Sequence, residues 1–559
     1  MKGRILAAAL AFVLAAAVLA GINIPVARTE QPVEMVVRTS LGDPAAARGL
    51  TVDYRVSVGS CLRWYTQYRP AEGTNDTAFY LTYQKENTNG YFRYITEDPR
   101  PWNLVGDIGS SEVQRDPIAR QLLAKVRNGE GEPEGGGRFI RERVYPFDYY
   151  DYYPLRLSSD SKQEGIGGYL GQEVYLPFDK LRIPTTPADS IELGYYFEMV
   201  NGEVKDAYQT LSGDMYVVNQ FTPYSVRNED SVVVTVGFDA GVTPEADWAP
   251  EGFGLWYMPI RKYDAPSTRT RSYTRQTSET VRDNFPVPEE CRLVYPLDIE
   301  QQRVMLLRQS NDGVYLLLVT VEHDRYVLRV LDSADYHLVK EIDLTAAEVW
   351  EGSRLRYLTD EEFAAFRKIE DAAYQVRPAA ETQSGENELY LEERGYPAVT
   401  MRQGENFVAI MMGERLAVLA PSAEGYDLRF VCDTVTYGSQ MRQQTPDGDW
   451  ELVTPYHWFT DEEEPSHDKT PRSFDSIYDT VAEEYTMVYD GTRLAAATYM
   501  GTDLLLSIYG PDGLEYAEIS GSSVLSQEGL GSSSTQTVAQ DVIEDVEEIW
   551  FSKPGLTWQ

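Results

Sequence analysis

The chain has 559 residues, 42% of them hydrophobic, enough to bury a sizeable core and to set it apart from disordered sequences. Its 50 Lys and Arg stand against 88 Asp and Glu, a formal net charge of −38. That balance excludes nucleic acid as a partner, since phosphate binding needs clustered cations, and argues against docking on anionic lipid by a general basic patch. Three cysteines, Cys61, Cys291 and Cys432, are too few and too far apart for a disulfide-stapled fold, so buried free thiols are expected. The 39 tyrosines suit strands with half-buried faces, where the ring packs and the hydroxyl stays wet.

The chain opens with Lys2 and Arg4 ahead of the uncharged apolar run Ile5–Ile22. At 1.5 Å per residue such a helix measures about 27 Å, close to the hydrocarbon thickness of a bilayer. The positive flank keeps Met1 inside and sends the rest of the chain out. Val18-Leu19-Ala20 before Gly21 offers a signal-peptidase site, but the run is longer than an ordinary signal core and continues past it. Residues 1–25 are therefore expected as an uncleaved anchor, with a cleaved signal as the alternative. The cell membrane, with the following domain outside, is the expected location, and secretion is the alternative. Residues 26–50, with Pro32, Pro44 and Ala45–Ala47, read as a spacer.

Alternating strands follow at Thr51–Val58, Leu62–Tyr68, Phe79–Gln84 and Tyr91–Thr96. A helix is predicted over Asp116–Arg127, with Pro117 at its first position and Ile118, Leu122 and Val126 on one face. Glu130–Gly137 reads as a flexible loop. A second amphipathic helix is predicted over Asp360–Tyr374, behind a capping box of Thr359 and Glu362.

Three-strand units then recur. The first is Val314–Val321, Arg325–Leu331 and His337–Leu344, with a tight turn at His323-Asp324. The second is Phe407–Met412, Arg415–Ala420 and Tyr426–Cys432, and the third is Arg493–Met500, Asp503–Tyr509 and Leu514–Ile519. Ser520–Gln540 is a low-complexity linker, and Glu547–Ser552 closes the chain as a strand with Ile549, Trp550 and Phe551.

The recurring unit resembles a blade of a β-propeller, although no blade signature repeats at a fixed position. The resemblance implies an all-β domain over 51–519 with about six to seven blades. An irregular β-sandwich or a pair of β domains is the alternative. It also implies that residues 541–559 complete a blade begun at the other end of the chain, pairing near Thr51–Val58.

The search for chemistry is less productive. Four histidines, His323, His337, His457 and His467, sit in turn or strand-edge contexts, with no G-x-S-x-G elbow and no H-E-x-x-H helix. Gly165–Gly171 lacks the spacing of a dinucleotide loop, and no cofactor is implied. Asp461–Asp468 gathers five carboxylates and His467 without matching a calcium loop, so no metal site is assigned. The most suggestive surface stretch is Tyr145–Pro154. There Tyr145, Phe147, Tyr149, Tyr150, Tyr152 and Tyr153, with Trp102 nearby, could stack on sugar rings or meet proline-rich or basic peptides. The plainer reading packs the alternate tyrosines inward.

The expectation is an exported, membrane-anchored binding or scaffolding protein of a bacterial cell envelope. It is read as non-catalytic, with another envelope protein or a surface polymer as partner. An extracellular carbohydrate-active hydrolase or lyase is the alternative, and the sensing arm of a regulatory or transport complex is a second.

Overall fold

Valine, leucine and tyrosine in period-two or continuous apolar runs make most of the described residues strand. The computed structural model describes residues 35–58, 62–81, 103–105, 117–162, 169–175, 180–187, 189–201, 203–216, 220–228, 230–264, 282–347, 349–357, 376–378, 388–413, 415–434, 442–444, 450–452, 486–500, 503–522, 549–551 and 554–558. Among the described residues the strand pairings are antiparallel, mostly between neighbours in sequence, and six of the sheets have four or five strands. The chain divides into two compact units. One comprises 1–93, 400–421 and 427–559, and the other comprises 94–399 and 422–426.

The first unit begins with β1 (Met35–Gly42), β2 (Leu50–Val58), β3 (Leu62–Arg69) and β4 (Thr74–Leu81). Part of the expected spacer is therefore strand. β2, β3 and β4 form a meander, and β2 also accepts the C-terminal strands Ile549–Phe551 and Gly555–Trp558. Val56 stands opposite Phe551 and Val58 opposite Ile549, which is the closing pairing read from the sequence. The exchange is reciprocal. β1 adds to the last strand of the meander Thr486–Tyr489, Leu494–Met500, Asp503–Gly510 and Gly513–Ser522. Gly42 ends β1 with φ +84°, and a Cβ there would collide with the Glu515 carbonyl, so the close approach requires glycine. Leu50, Val52, Tyr54 and Tyr68 share one core cluster with Leu504, Leu506, Ile508 and Tyr516. Fully burying each of these aliphatic side chains contributes roughly 1.5–3 kcal/mol.

In the second unit α1 (Pro117–Arg127) buries Ile118, Ala119, Leu122 and Val126, the predicted face. It packs on Gly137–Val144 and Ser190–Val200, inner strands of a four-stranded sheet. The expected loop 130–137 is instead the short strand Glu132–Glu134 and its turn. Gly135 and Gly136 both adopt positive φ, which a tight hairpin needs, and Glu134 pairs with Gly137. Ser231–Phe238 is buried along its whole length. It forms the next meander with Phe221–Arg227 and Phe253–Asp264.

The three recurring units emerge as four-stranded meanders. Tyr315–Glu322, Arg325–Asp332 and Leu338–Ala346 are joined by a first strand, Arg303–Gln309. Val408–Met412, Arg415–Ser422 and Gly425–Asp433 are joined by Val399–Gln403, and Thr486–Tyr489 precedes the third set. The turn at His323-Asp324 is confirmed, with φ +48° and +57° at the two residues. His and Asp tolerate that conformation better than most residues, and it matches the twist of a two-residue hairpin. Consecutive four-stranded antiparallel meanders are what the blades of a β-propeller consist of, and the resemblance holds at that level.

Several expectations lie outside the described residues: Ile5–Ile22, the strand Tyr91–Thr96, the helix Asp360–Tyr374, Asp461–Asp468, His457, and the linker beyond Ser522. Among the described residues no helix is long and apolar enough to cross a membrane.

Candidate functional site

The outer face of the β2–β3–β4 meander carries an open cleft of about 480 Å³. Strand alternation sorts its residues. Tyr54, Thr66 and Tyr68 turn inward and are buried, whereas Tyr65, Gln67, Asp76 and Ala78 are exposed and Asp53 is half-buried. Register places Asp53 opposite Gln67 and Gln67 opposite Asp76, so three polar side chains form one row across three strands. In the next row Tyr65 stands opposite Ala78. The tyrosine is 41% exposed, and the alanine leaves the trough beside it low. The arrangement offers an aromatic face, two carboxylates and an amide to a molecule arriving from solvent.

The sequence-nominated stretch has a different character. Tyr145 caps the short 3-10 turn Pro146–Asp148, and Phe147 is 52% exposed. Tyr149 and Tyr150 are half-buried against the core, and the Tyr149 hydroxyl meets the Gln121 side chain of α1. Tyr152 bridges to Pro184. Tyr153 is fully buried, with its hydroxyl on the equally buried Asp189. Asp189 also accepts from the Thr186 backbone N–H at 2.7 Å and the Thr186 hydroxyl at 3.0 Å. Burial, followed by the Asp189 charge, pushes the Tyr153 phenol far above its ordinary range. Tyr149, Tyr150 and Tyr153 thus pin a loop to α1 and to the core, and Phe147 is left as the outward ring. Trp102 lies outside the described residues.

Two further polar knots have buried centres. Glu518 is fully buried in the first unit and accepts from Tyr68 at 3.1 Å, Tyr516 at 2.5 Å and Ser520 at 2.9 Å. Burial raises the Glu518 carboxyl above the usual carboxylate range despite these three donors. In the second unit Arg329, whose side chain is 4% exposed, reaches Glu322 at 2.7 Å and Glu341 at 3.2 Å. Desolvation opposes ionisation of Glu322, but hydrogen bonds from Gln302 and Arg329 prevail and hold it below its ordinary value. Both knots are closed to solvent at their centres and serve packing.

Asp332, Asp335 and His337 gather at one turn with ligand atoms within 4.8 Å of one another. They offer a mixed oxygen and nitrogen donor set, but all three help to close the turn. Asp332 accepts from Ala334 N–H at 2.7 Å, and Asp335 accepts from His337 N–H at 3.1 Å and contacts its Nδ1 at 2.5 Å. His323 occupies the hairpin turn at the other end of the strand Arg325–Asp332. Cys291 and Cys432 are free thiols, the first half-buried, the second buried and pushed up to about 12 by that burial and the adjacent Asp433 charge. Cys61 lies outside the described residues.

The sequence placed strands at β2 and β3 without showing which face was open, because tyrosines occupy both. No family model matches the chain, and no curated protein matches it. Among solved structures, it is similar to a putative 6-phosphogluconolactonase from Bacteroides fragilis, at 8% identity over 84% of this chain and 98% of that one, with a TM-score of 0.22. It is also similar to the β-propeller domain of Swd1 from Myceliophthora thermophila, at 9% identity over 70% and 99% with a TM-score of 0.18. TolB from Acinetobacter baumannii is similar at 10% identity over 85% and 80%, with a TM-score of 0.17. No activity passes from any of them to this chain.

Proposed function

We propose that this chain is a non-catalytic binding module of a bacterial cell envelope, exported and held at the membrane by Ile5–Ile22, that engages another envelope protein or a surface polymer. The open cleft of the first unit carries the proposal, with an exposed ring beside three polar side chains in register. By contrast Glu518, Tyr68, Tyr153 and Cys432, whose pKa values are strongly displaced, lie inside cores, where they meet protein and not ligand. Cross-linking the full-length protein in its native cells, followed by mass spectrometry of the partners and of the N-terminus, tests it. Recovery of intact Ile5–Ile22 with a reproducible membrane or wall component is the expected result. A mature chain starting at Gly21 without any partner would overturn it.

A second reading, an extracellular carbohydrate-active hydrolase, draws on the row Asp53–Gln67–Asp76. Two strand spacings put the outer Cα atoms roughly 10 Å apart, near the carboxylate separation of inverting glycosidases. Release of reducing sugar that disappears in Asp53→Asn and in Asp76→Asn would favour it over the binding module.

A further inference from the structure

We infer that the β2–β4 cleft lies beside the membrane and docks an integral membrane protein, an inference that rests on the anchored binding-module reading above. The point where the chain enters the fold carries it. Met35 is buried, and the Asn75 side chain grips its backbone twice. The Met35 N–H donates to Asn75 Oδ1 at 3.0 Å, and Asn75 Nδ2–H donates to the Met35 carbonyl at 3.2 Å. Asn75 belongs to β4, and the next residue, Asp76, lines the cleft. One hydrogen bond, one short side chain and one Cα step thus put the cleft about 10 Å from the entry point.

Reach sets where that cleft works. β1 begins at Met35, so residues 23–34 alone join it to the apolar run that ends at Ile22. Fully extended they span about 45 Å, and no conformation carries the entry point further from the bilayer. A polymer beyond that reach cannot meet the cleft. The register from Met35 opposite Ser522 to Gly42 opposite Tyr516 puts the turn at Asp512 beyond the far end of β1, about 25 Å from the entry point. Charge then selects among what lies near the membrane. A chain of net charge −38, with Asp53 and Asp76 at the cleft itself, is repelled by an anionic leaflet, which disfavours lipid. A mainly apolar lining with polar groups beside it is the composition of a protein contact.

The test uses the full-length protein in its native cells, with p-benzoylphenylalanine replacing in turn Gln67 or Asp76 in the cleft, or the exposed Asp512. Irradiation should capture the same integral membrane protein from both cleft positions, and little of it from the Asp512 position. Inserting about 40 Gly and Ser residues between Thr29 and Glu30 lengthens the tether roughly fourfold and should lower that capture about eightfold. The melting temperature should not change, since the insertion precedes β1. Mass spectrometry of the captured chain reads its N-terminus in the same experiment. A chain starting at Gly21 would overturn the anchored module and this inference together, as would the absence of capture at every position. With the anchor intact, capture of a soluble protein or a polymer alone would overturn the membrane-protein assignment and leave the module standing. Equal capture from the Asp512 position, or capture indifferent to the insertion, would do the same.

Discussion

The Tyr68 hydroxyl donates to Oε2 of Glu518 at 3.1 Å although 450 positions separate them in sequence. Tyr68 lies on β3, near the start of the chain, and Glu518 lies on the strand that β1 joins. Tyr516 and Ser520 complete the shell around the carboxyl. A charge sealed there would be expensive, and burial raises the carboxyl's pKa, which favours its neutral form. A neutral carboxyl accepting from two tyrosines is a polar clasp between strands from opposite ends of the sequence.

That clasp has a pH signature. Below the unfolded carboxylate value of about 4.3, both states bind the proton and the contribution is complete. As pH rises past that value the unfolded chain ionises while native Glu518 stays protonated. Stability therefore falls with rising pH, by about 1.4 kcal/mol per unit, until the raised native pKa is passed. Glu518→Gln keeps the shape and a carbonyl acceptor for both tyrosines but cannot ionise. Urea unfolding should show the variant gaining on the wild type between about pH 4.5 and about pH 7. A stability difference that is the same at both values would refute the assignment.

The reciprocal strand exchange predicts a large effect from a short deletion. Removing Asp541–Gln559 strips both C-terminal strands from β2, and with them Leu556 and Trp558, which pack against the core that holds Leu50, Val52 and Tyr54. The melting temperature should drop by several degrees or more, and an unchanged value would sink the closing role. Trp558→Ala isolates one contribution. Its ring lies 5.3 Å from the Arg493 guanidinium, and its Nε1–H donates to the Arg48 carbonyl at 3.0 Å. Their joint loss should cost about 1–3 kcal/mol in denaturant unfolding.

What the sequence made legible follows from how locally each feature is determined. The hairpin at His323-Asp324 is flanked by unbroken apolar runs, so turn and strands announce themselves together. Ile549, Trp550 and Phe551 stand out after a polar tract, which exposed the closing strand. β1 was missed because MVVRTSLG lies in a proline-punctuated stretch, and only a partner far along the chain, Gly513–Ser522, makes it a strand. Glu518 was invisible for the same reason. In GLEYAEIS a glutamate at an alternate position looks solvent-facing unless Tyr68 is known to be above it. The aromatic stretch misled in the opposite way: composition alone cannot tell Tyr153, fully buried, from Phe147, half exposed. In β3 the outward Tyr65 and the inward Tyr68 differ only in parity, which needs the core's position to interpret.

Tyr153 and Phe147 give the corresponding contrast. Tyr153→Phe removes the phenol that faces Asp189 inside the core, while the Thr186 donors remain. A loss of about 1–3 kcal/mol is expected from leaving a buried carboxylate short of a partner. Phe147→Ala, on the exposed 3-10 turn, should stay within about 0.5 kcal/mol. Chemical unfolding of the two variants side by side decides the matter, and equal losses would mean that the stretch is packed otherwise.

The turn at Asp332–His337 supplies a test that needs no unfolding measurement. The hydrogen bond between His337 and Asp335 raises the imidazole above its ordinary value and lowers the carboxyl, and both groups are exposed. The Asp335 charge favours imidazolium, and the nearby Asp332 adds to it in the same direction. Asp335→Asn keeps a side-chain acceptor but removes the charge, so the His337 titration should move down towards about 6.5. Following the ring C–H resonance across pH in wild type and variant reads this directly. An unmoved titration would mean that the two side chains do not meet in solution, and with it would go the donor set that Asp332, Asp335 and His337 offer a metal ion.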